Sequence, residues 1–132
     1  MSVNDQVERV IVEFHSAGKP LGLCCIAPII VAKVIHSHTF PCPTSHDQSQ
    51  VLGDKNPLLT LGCAGDGADW PYQEAIEVAR GLGGNMQEKN VGEVCVDTEN
   101  KIVTTPAYMY SGKFHEIQDG VSSMINELIK LL

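Results

Sequence analysis

The chain has 132 residues, enough for one domain with a buried core, and carries nine basic against sixteen acidic residues, a formal net charge of -7. A hydrophobic fraction of 43% with 19% charged residues excludes a disordered polymer, and the acidic balance offers phosphate backbones no attraction, so no nucleic acid partner is expected. The most apolar run, residues 20–32, is interrupted by Pro28 and falls short of the ~20 residues of a bilayer span, so no membrane partner is expected either.

The first six residues lack the basic and apolar regions of a secretory signal and the Arg/Ser richness of a transit peptide, so no targeting segment is expected in this chain. Five cysteines, an odd number with Cys24 and Cys25 adjacent, argue against a disulfide scaffold and for a reducing compartment.

In chain order, Val7, Val10, Ile11 and Phe14 fall on one face of a helix, with Asn4 or Asp5 as N-cap, Gly18 at its C-terminal end and Pro20 as a stop. Leu21 to Cys24 reads as a short buried strand that turns into a second helix, Pro28 to about Ile35. From His36 to Pro57 there is no apolar period, which predicts a long loop. Leu58 to Leu61 reads as a strand, Gly62 to Asp69 as a loop, and Tyr72 to Leu82 as a helix closed by Gly83-Gly84. Glu93–Asp97 and Ile102–Thr105 predict a hairpin across residues 98–101. Phe114, Ile117, Val121, Met124, Ile125, Leu128 and Leu132 form one apolar stripe on a final helix. Helices alternating with short strands predict a layered α/β architecture with a mainly parallel sheet.

The chemically informative segment is Gly18-Lys-Pro-Leu-Gly-Leu-Cys-Cys-Ile-Ala-Pro28. A buried strand, a nucleophilic side chain and a helix start make a strand–nucleophile–helix elbow, where the helix N-terminus supplies donors and partial positive charge. That environment favours a reactive thiolate. Alternation puts Leu21 and Leu23 on one face and Cys24 on the other, and Pro28 belongs in the first helical turn. Together these set the bend at Cys25, with the Ile26 amide facing a developing oxyanion. The competing reading is that both thiols are small core side chains.

The segments GKPLGLCCIAP (18–28), NKIVTTPAYM (100–109) and HEIQDG (115–120), with Trp70-Pro71-Tyr72 before a helix, resemble the PfpI-like branch of the class I glutamine amidotransferase-like superfamily. Within that branch the chain is most similar to the ElbB-type glyoxalase-like proteins, linked to isoprenoid production, and their eukaryotic, often mitochondrial, relatives. The resemblance runs over about Val3 to Leu132, apart from residues 36–57, which look like an elongated connection. It implies a flavodoxin-like three-layer sandwich with the N-terminal half missing: one partial domain over residues 1–132.

It also implies Cys25 as nucleophile, with Ile26 beside it, and glyoxalase-type chemistry on a small 2-oxoaldehyde without a cofactor. The superfamily's acidic residue and glycine-rich oxyanion turn precede the matched region, and the position after the cysteine, often His in relatives, is Ile26. The chain by itself is therefore expected to be weakly active or inactive, in the mitochondrial matrix or the cytoplasm. Pairing through an exposed sheet edge, or homo-oligomerisation, is expected to follow. The alternative is a non-catalytic interaction or redox-sensing module in which Cys25 is oxidised reversibly beside Cys24.

Other signals are weaker. His36, His38, Cys42 and His46 have donor types that suit zinc, but without paired short spacings, and read as a solvated loop rather than a metal site. Gly62 to Asp69 lacks the Gly-Lys-Ser/Thr ending of a phosphate loop, and Asp66 and Asp69 do not complete a calcium loop. His115 and Glu116 are adjacent and belong to a solvated helix face. Where amidotransferases carry their catalytic His, this chain reads Thr104-Thr105-Pro106-Ala107, which disfavours glutamine hydrolysis. Cys42 and Cys63 have no assignable partner, and Cys95 reads as a packing or solvent-facing strand residue.

Overall fold

Residues 2–39, 56–65 and 67–132 are described in the computed structural model of the chain. Asn4 opens helix α1 (Asp5–Ser16) by accepting the Gln6 amide at 3.0 Å, which satisfies one of the donors a helix start leaves open. Gly18, at φ 66°, reverses the chain, and the Lys19 amide reaches back to the Phe14 carbonyl at 2.9 Å. Strand β1 (Leu21–Cys24) follows and turns into α2 (Pro28–Thr39).

Helix α2 continues past the end expected at Ile35, so His36 and His38 lie in its last turn and not in a loop. The physical reason is that no helix breaker stands before Pro41, and Ser37 satisfies its hydroxyl within the helix by donating to the Lys33 carbonyl at 2.8 Å. Cys42, His46, Asp66 and most of the expected 36–57 insertion lie outside the described residues.

Strand β2 (Leu58–Leu59) is shorter than the expected 58–61. The Thr60 amide leaves the ladder to donate to Thr104 Oγ1 at 2.9 Å, and Gly62, at φ 108°, redirects the chain. Helix α3 (Gln73–Gly81) ends where Gly83 takes φ 93°. The chain then forms β3 (Asn85–Met86), parallel to β2, a strand too short to show any alternation in the sequence. The expected hairpin is β4 (Cys95–Asp97) and β5 (Ile102–Thr105), followed by a single 3-10 turn (Ala107–Met109) and α4 (Phe114–Lys130).

The main sheet has the order β1-β5-β4. β1 and β5 are parallel, with Leu21 opposite Ile102 and Cys24 opposite Thr105, while β4 returns antiparallel because its connection to β5 is a tight turn. Leu21, Leu23 and Ile102 pack with Ile11 of α1 and with Val31, Val34 and Ile35 of α2. On the opposite face, a Cβ added at Gly22 would meet Leu128 at 3.2 Å and Met124 at 3.6 Å, both from α4. The alternation of β1 thus separates two helical layers, giving a three-layer α/β/α arrangement.

Two contacts explain otherwise costly residues. Gly120 sits inside α4 despite a helix penalty of ~1 kcal/mol, because a Cβ there would lie 2.2 Å from the Val91 carbonyl oxygen. Asp97 is buried, yet its carboxylate accepts the amides of Leu58 (2.8 Å), Glu99 (3.1 Å) and Asn100 (3.0 Å) and the Asn100 side chain (2.8 Å). It ties β2 to the β4–β5 turn, and its hydrogen bonds compensate the desolvation of a buried charge.

Candidate active site

The bend falls at Cys25, which takes φ 60°, in the left-handed region that costs a side-chain-bearing residue roughly 1–2 kcal/mol. Three hydrogen bonds hold this conformation. The Cys25 amide donates to the Thr105 carbonyl (3.1 Å), Ala27 to the Cys24 carbonyl (3.2 Å), and Ile29 to the Ile26 carbonyl (3.1 Å). Pro28 has no N–H, and among the described residues the Ile26 amide has no acceptor. The elbow therefore presents a half-buried thiol with one open backbone donor on the next residue. Ala107, just after β5, also has a positive φ of 47°, so both parallel strands leave the sheet through strained residues at the same end.

Between these two exits and α3 lies an open cleft of about 990 Å³. Cys25 and Ile26 form one wall, Tyr108 and Met109 another, and Trp70 and Tyr72 a third. Trp70 is held by Tyr110, whose ring lies 5.0 Å away at a 53° tilt, and by Gly62 beneath it. The Ser111 amide donates to the Asp69 carbonyl at 2.8 Å and closes this support. Glu74 and Val78 reach the cleft from α3, and Glu74 is the one charged side chain among the described lining residues.

Sequence reasoning missed Trp70, Tyr72, Glu74 and Tyr108 as companions of Cys25. They come from separate segments, and only the tertiary fold joins them.

The other described thiols are each shifted toward the protonated form. Burial pushes Cys24 up from the ordinary value of 9.0, and the adjacent Cys25 adds to the shift. Cys63 is raised by burial and then by Glu88 and Glu93, and its Sγ donates to the Lys89 carbonyl at 3.4 Å. Cys95 is buried in β4 and raised chiefly by that burial. His115 is exposed, and Glu116 caps α4 by accepting the Lys113 amide at 2.8 Å, so this pair does not line the cleft. Among the described residues, no group of three or more His, Cys, Asp or Glu could hold a metal ion, and no helix is long and apolar enough to cross a membrane.

No protein-family model matches the chain. Over 98% of its length the chain is 40% identical to the human "Glutamine amidotransferase-like class 1 domain-containing protein 3, mitochondrial" and covers 41% of that protein. It is likewise 40% identical to the "ES1 protein homolog, mitochondrial" of Rattus norvegicus, covering 42% of it. The "ES1 protein, mitochondrial" of Danio rerio is 27% identical, with 43% covered.

The solved isoprenoid biosynthesis protein with amidotransferase-like domain from Ehrlichia chaffeensis superposes with a TM-score of 0.71. The match takes in 99% of this chain and 48% of that one at 20% identity, a likeness of fold alone. The chain thus spans less than half the length of these relatives, and over that span it is similar to proteins named for a glutamine amidotransferase-like class 1 domain and shares its fold with an amidotransferase-like domain.

Proposed function

We propose that Cys25 is the nucleophile of a glyoxalase-type site acting on a small 2-oxoaldehyde, of the glyoxal-to-glycolate kind. The observation that carries this reading is the elbow itself: a strained cysteine at a strand–helix corner, facing a cleft, with the open Ile26 amide next to it. The Cys25 thiolate adds to the aldehyde carbon, forming a C–S bond, and Ile26 N–H stabilises the resulting oxyanion. The hydrogen on that carbon then migrates to the neighbouring carbonyl carbon, leaving a thioester of a 2-hydroxy acid. Water attacks the thioester, the C–S bond breaks, and the thiolate is restored. One carbon is oxidised by two electrons and its neighbour reduced by two, so water is the only co-reactant.

The mitochondrial names of the relatives support a mitochondrial site for this chain as well. Because the chain spans under half their length, slow turnover is the expectation for it alone. The test is glycolate formation from glyoxal by the chain and by its Cys25→Ser and Cys24→Ser variants. Formation above the uncatalysed rate, lost in Cys25→Ser and kept in Cys24→Ser, supports the reading. A rate unchanged in Cys25→Ser overturns it.

A further inference from the structure

The walls of the cleft carry information about what reaches Cys25. Ile26, Tyr72, Val78 and Tyr108 line it while remaining between 49% and 56% exposed, an accumulation of apolar surface that a water-filled site for a two-carbon dialdehyde does not require. Trp70 adds a ring whose position is fixed from behind by Gly62 and Tyr110. A flat substituent stacked between Tyr72, Tyr108 and Trp70 would replace water over these rings at little ordering cost, because the Trp70 platform is already in place.

Charge points the same way. No Lys, Arg or His occurs among the described lining residues, Glu74 contributes a carboxylate, and the whole chain carries a net charge of -7. An anionic group entering the cleft therefore meets repulsion and no counter-ion.

We propose that the cleft selects neutral carbonyl compounds bearing a flat apolar substituent and rejects anionic ones, with Tyr72 and Tyr108 setting the first preference and Glu74 the second. As a statement about substrate, this rests on the glyoxalase reading and narrows it to 2-oxoaldehydes with an aryl or similar apolar group. The selectivity of the cleft itself can be tested whether or not turnover occurs.

The test compares alkylation of Cys25 by three related reagents: bromoacetone, 2-bromoacetophenone and bromopyruvate. Rates are resolved by peptide mass mapping and normalised to the neutral thiol 2-mercaptoethanol. Partial burial of the phenyl ring predicts a normalised preference for 2-bromoacetophenone over bromoacetone of about tenfold. Bromopyruvate should fall below bromoacetone. Tyr72→Ala and Tyr108→Ala should each shrink the aryl preference, and Glu74→Gln should raise the bromopyruvate rate selectively.

Equal normalised rates for the three reagents, or ratios that none of the variants moves, overturn the proposal. Circular dichroism of each variant excludes unfolding as the cause of a lost preference. A parallel assay of phenylglyoxal against glyoxal turnover separates the two readings. Absent Cys25-dependent turnover counts against the glyoxalase chemistry, while the alkylation ratios decide the selectivity.

Discussion

The Cys25 amide donates to the Thr105 carbonyl across 3.1 Å, fastening the end of β1 to the end of β5 at the residue where β1 leaves the sheet. Two residues beyond Thr105, Ala107 turns the other strand away with its own positive φ. The parallel pair therefore ends as one unit, and its two exits become two walls of the cleft. The hydrogen bond places the thiol, and the turn after Pro106 places Tyr108 and Met109 beside it.

Gly62 supports this arrangement from the loop after β2. A Cβ at this position would lie 2.1 Å from Trp70 Cζ3, and the backbone φ of 108° already disfavours a side chain. Gly62→Ala should destabilise the chain by about 1–3 kcal/mol through overpacking and backbone strain. It should also displace Trp70. Because Trp70 is the single tryptophan, urea titration followed by its fluorescence reports both effects, as a lower midpoint and a shifted native emission maximum. An unchanged spectrum and midpoint would show that Trp70 is not held from below.

The half-buried Cys24 and Cys63 and the buried Cys95 point to a basic-side limit on the chain's stability. Burial raises Cys24, Cys63 and Cys95 above 9.0 in the folded state, so their contribution is fully present below pH 9 and is lost as pH rises through the raised folded values. Cys95 is the most enclosed of the three, and Cys95→Ala should flatten the fall in urea midpoint as pH rises above about 9. An identical slope in the variant would remove Cys95 from the account.

β1 is an edge of its sheet, since among the described residues only β5 pairs with it. Apolar side chains are also open on both helical layers: Val10 and Phe14 on α1, and Ile125 and Ile129 on α4. Unpaired strand edges and exposed apolar faces favour association. Sedimentation of the isolated chain should show concentration-dependent self-association with binding of a hydrophobic dye, and Ile125→Lys with Ile129→Glu should reduce both. A monomer that unfolds cooperatively and binds no dye would contradict this.

The sequence carried the helices, the hairpin and the bend because each has a local cause. Asn4 caps α1, Pro28 starts α2, the 98–101 turn joins β4 to β5, and the alternation of Leu21, Leu23 and Cys24 gives β1 two faces. The stripe of α4 was legible, yet only Ile117, Gly120 and Met124 along the helix are buried, whereas Phe114 stays 69% exposed. Periodicity shows which face is apolar, and burial depends on what packs against it.

The losses have tertiary causes. Thr60 shortens β2 by bonding a threonine side chain 44 residues away, and the walls of the cleft come from segments that meet only after folding. No local pattern links Trp70 or Glu74 to Cys25.

The most direct test of the central claim, that the elbow thiol facing the cleft is the nucleophile of this fold, is site-resolved alkylation with iodoacetamide at pH 7.5. Cys24, Cys63 and Cys95 are raised and should react slowly, whereas Cys25, open to the cleft, should be modified first. If Cys24 or Cys63 is labelled as fast as Cys25, the elbow does not set the reactivity, and the proposed chemistry falls with it.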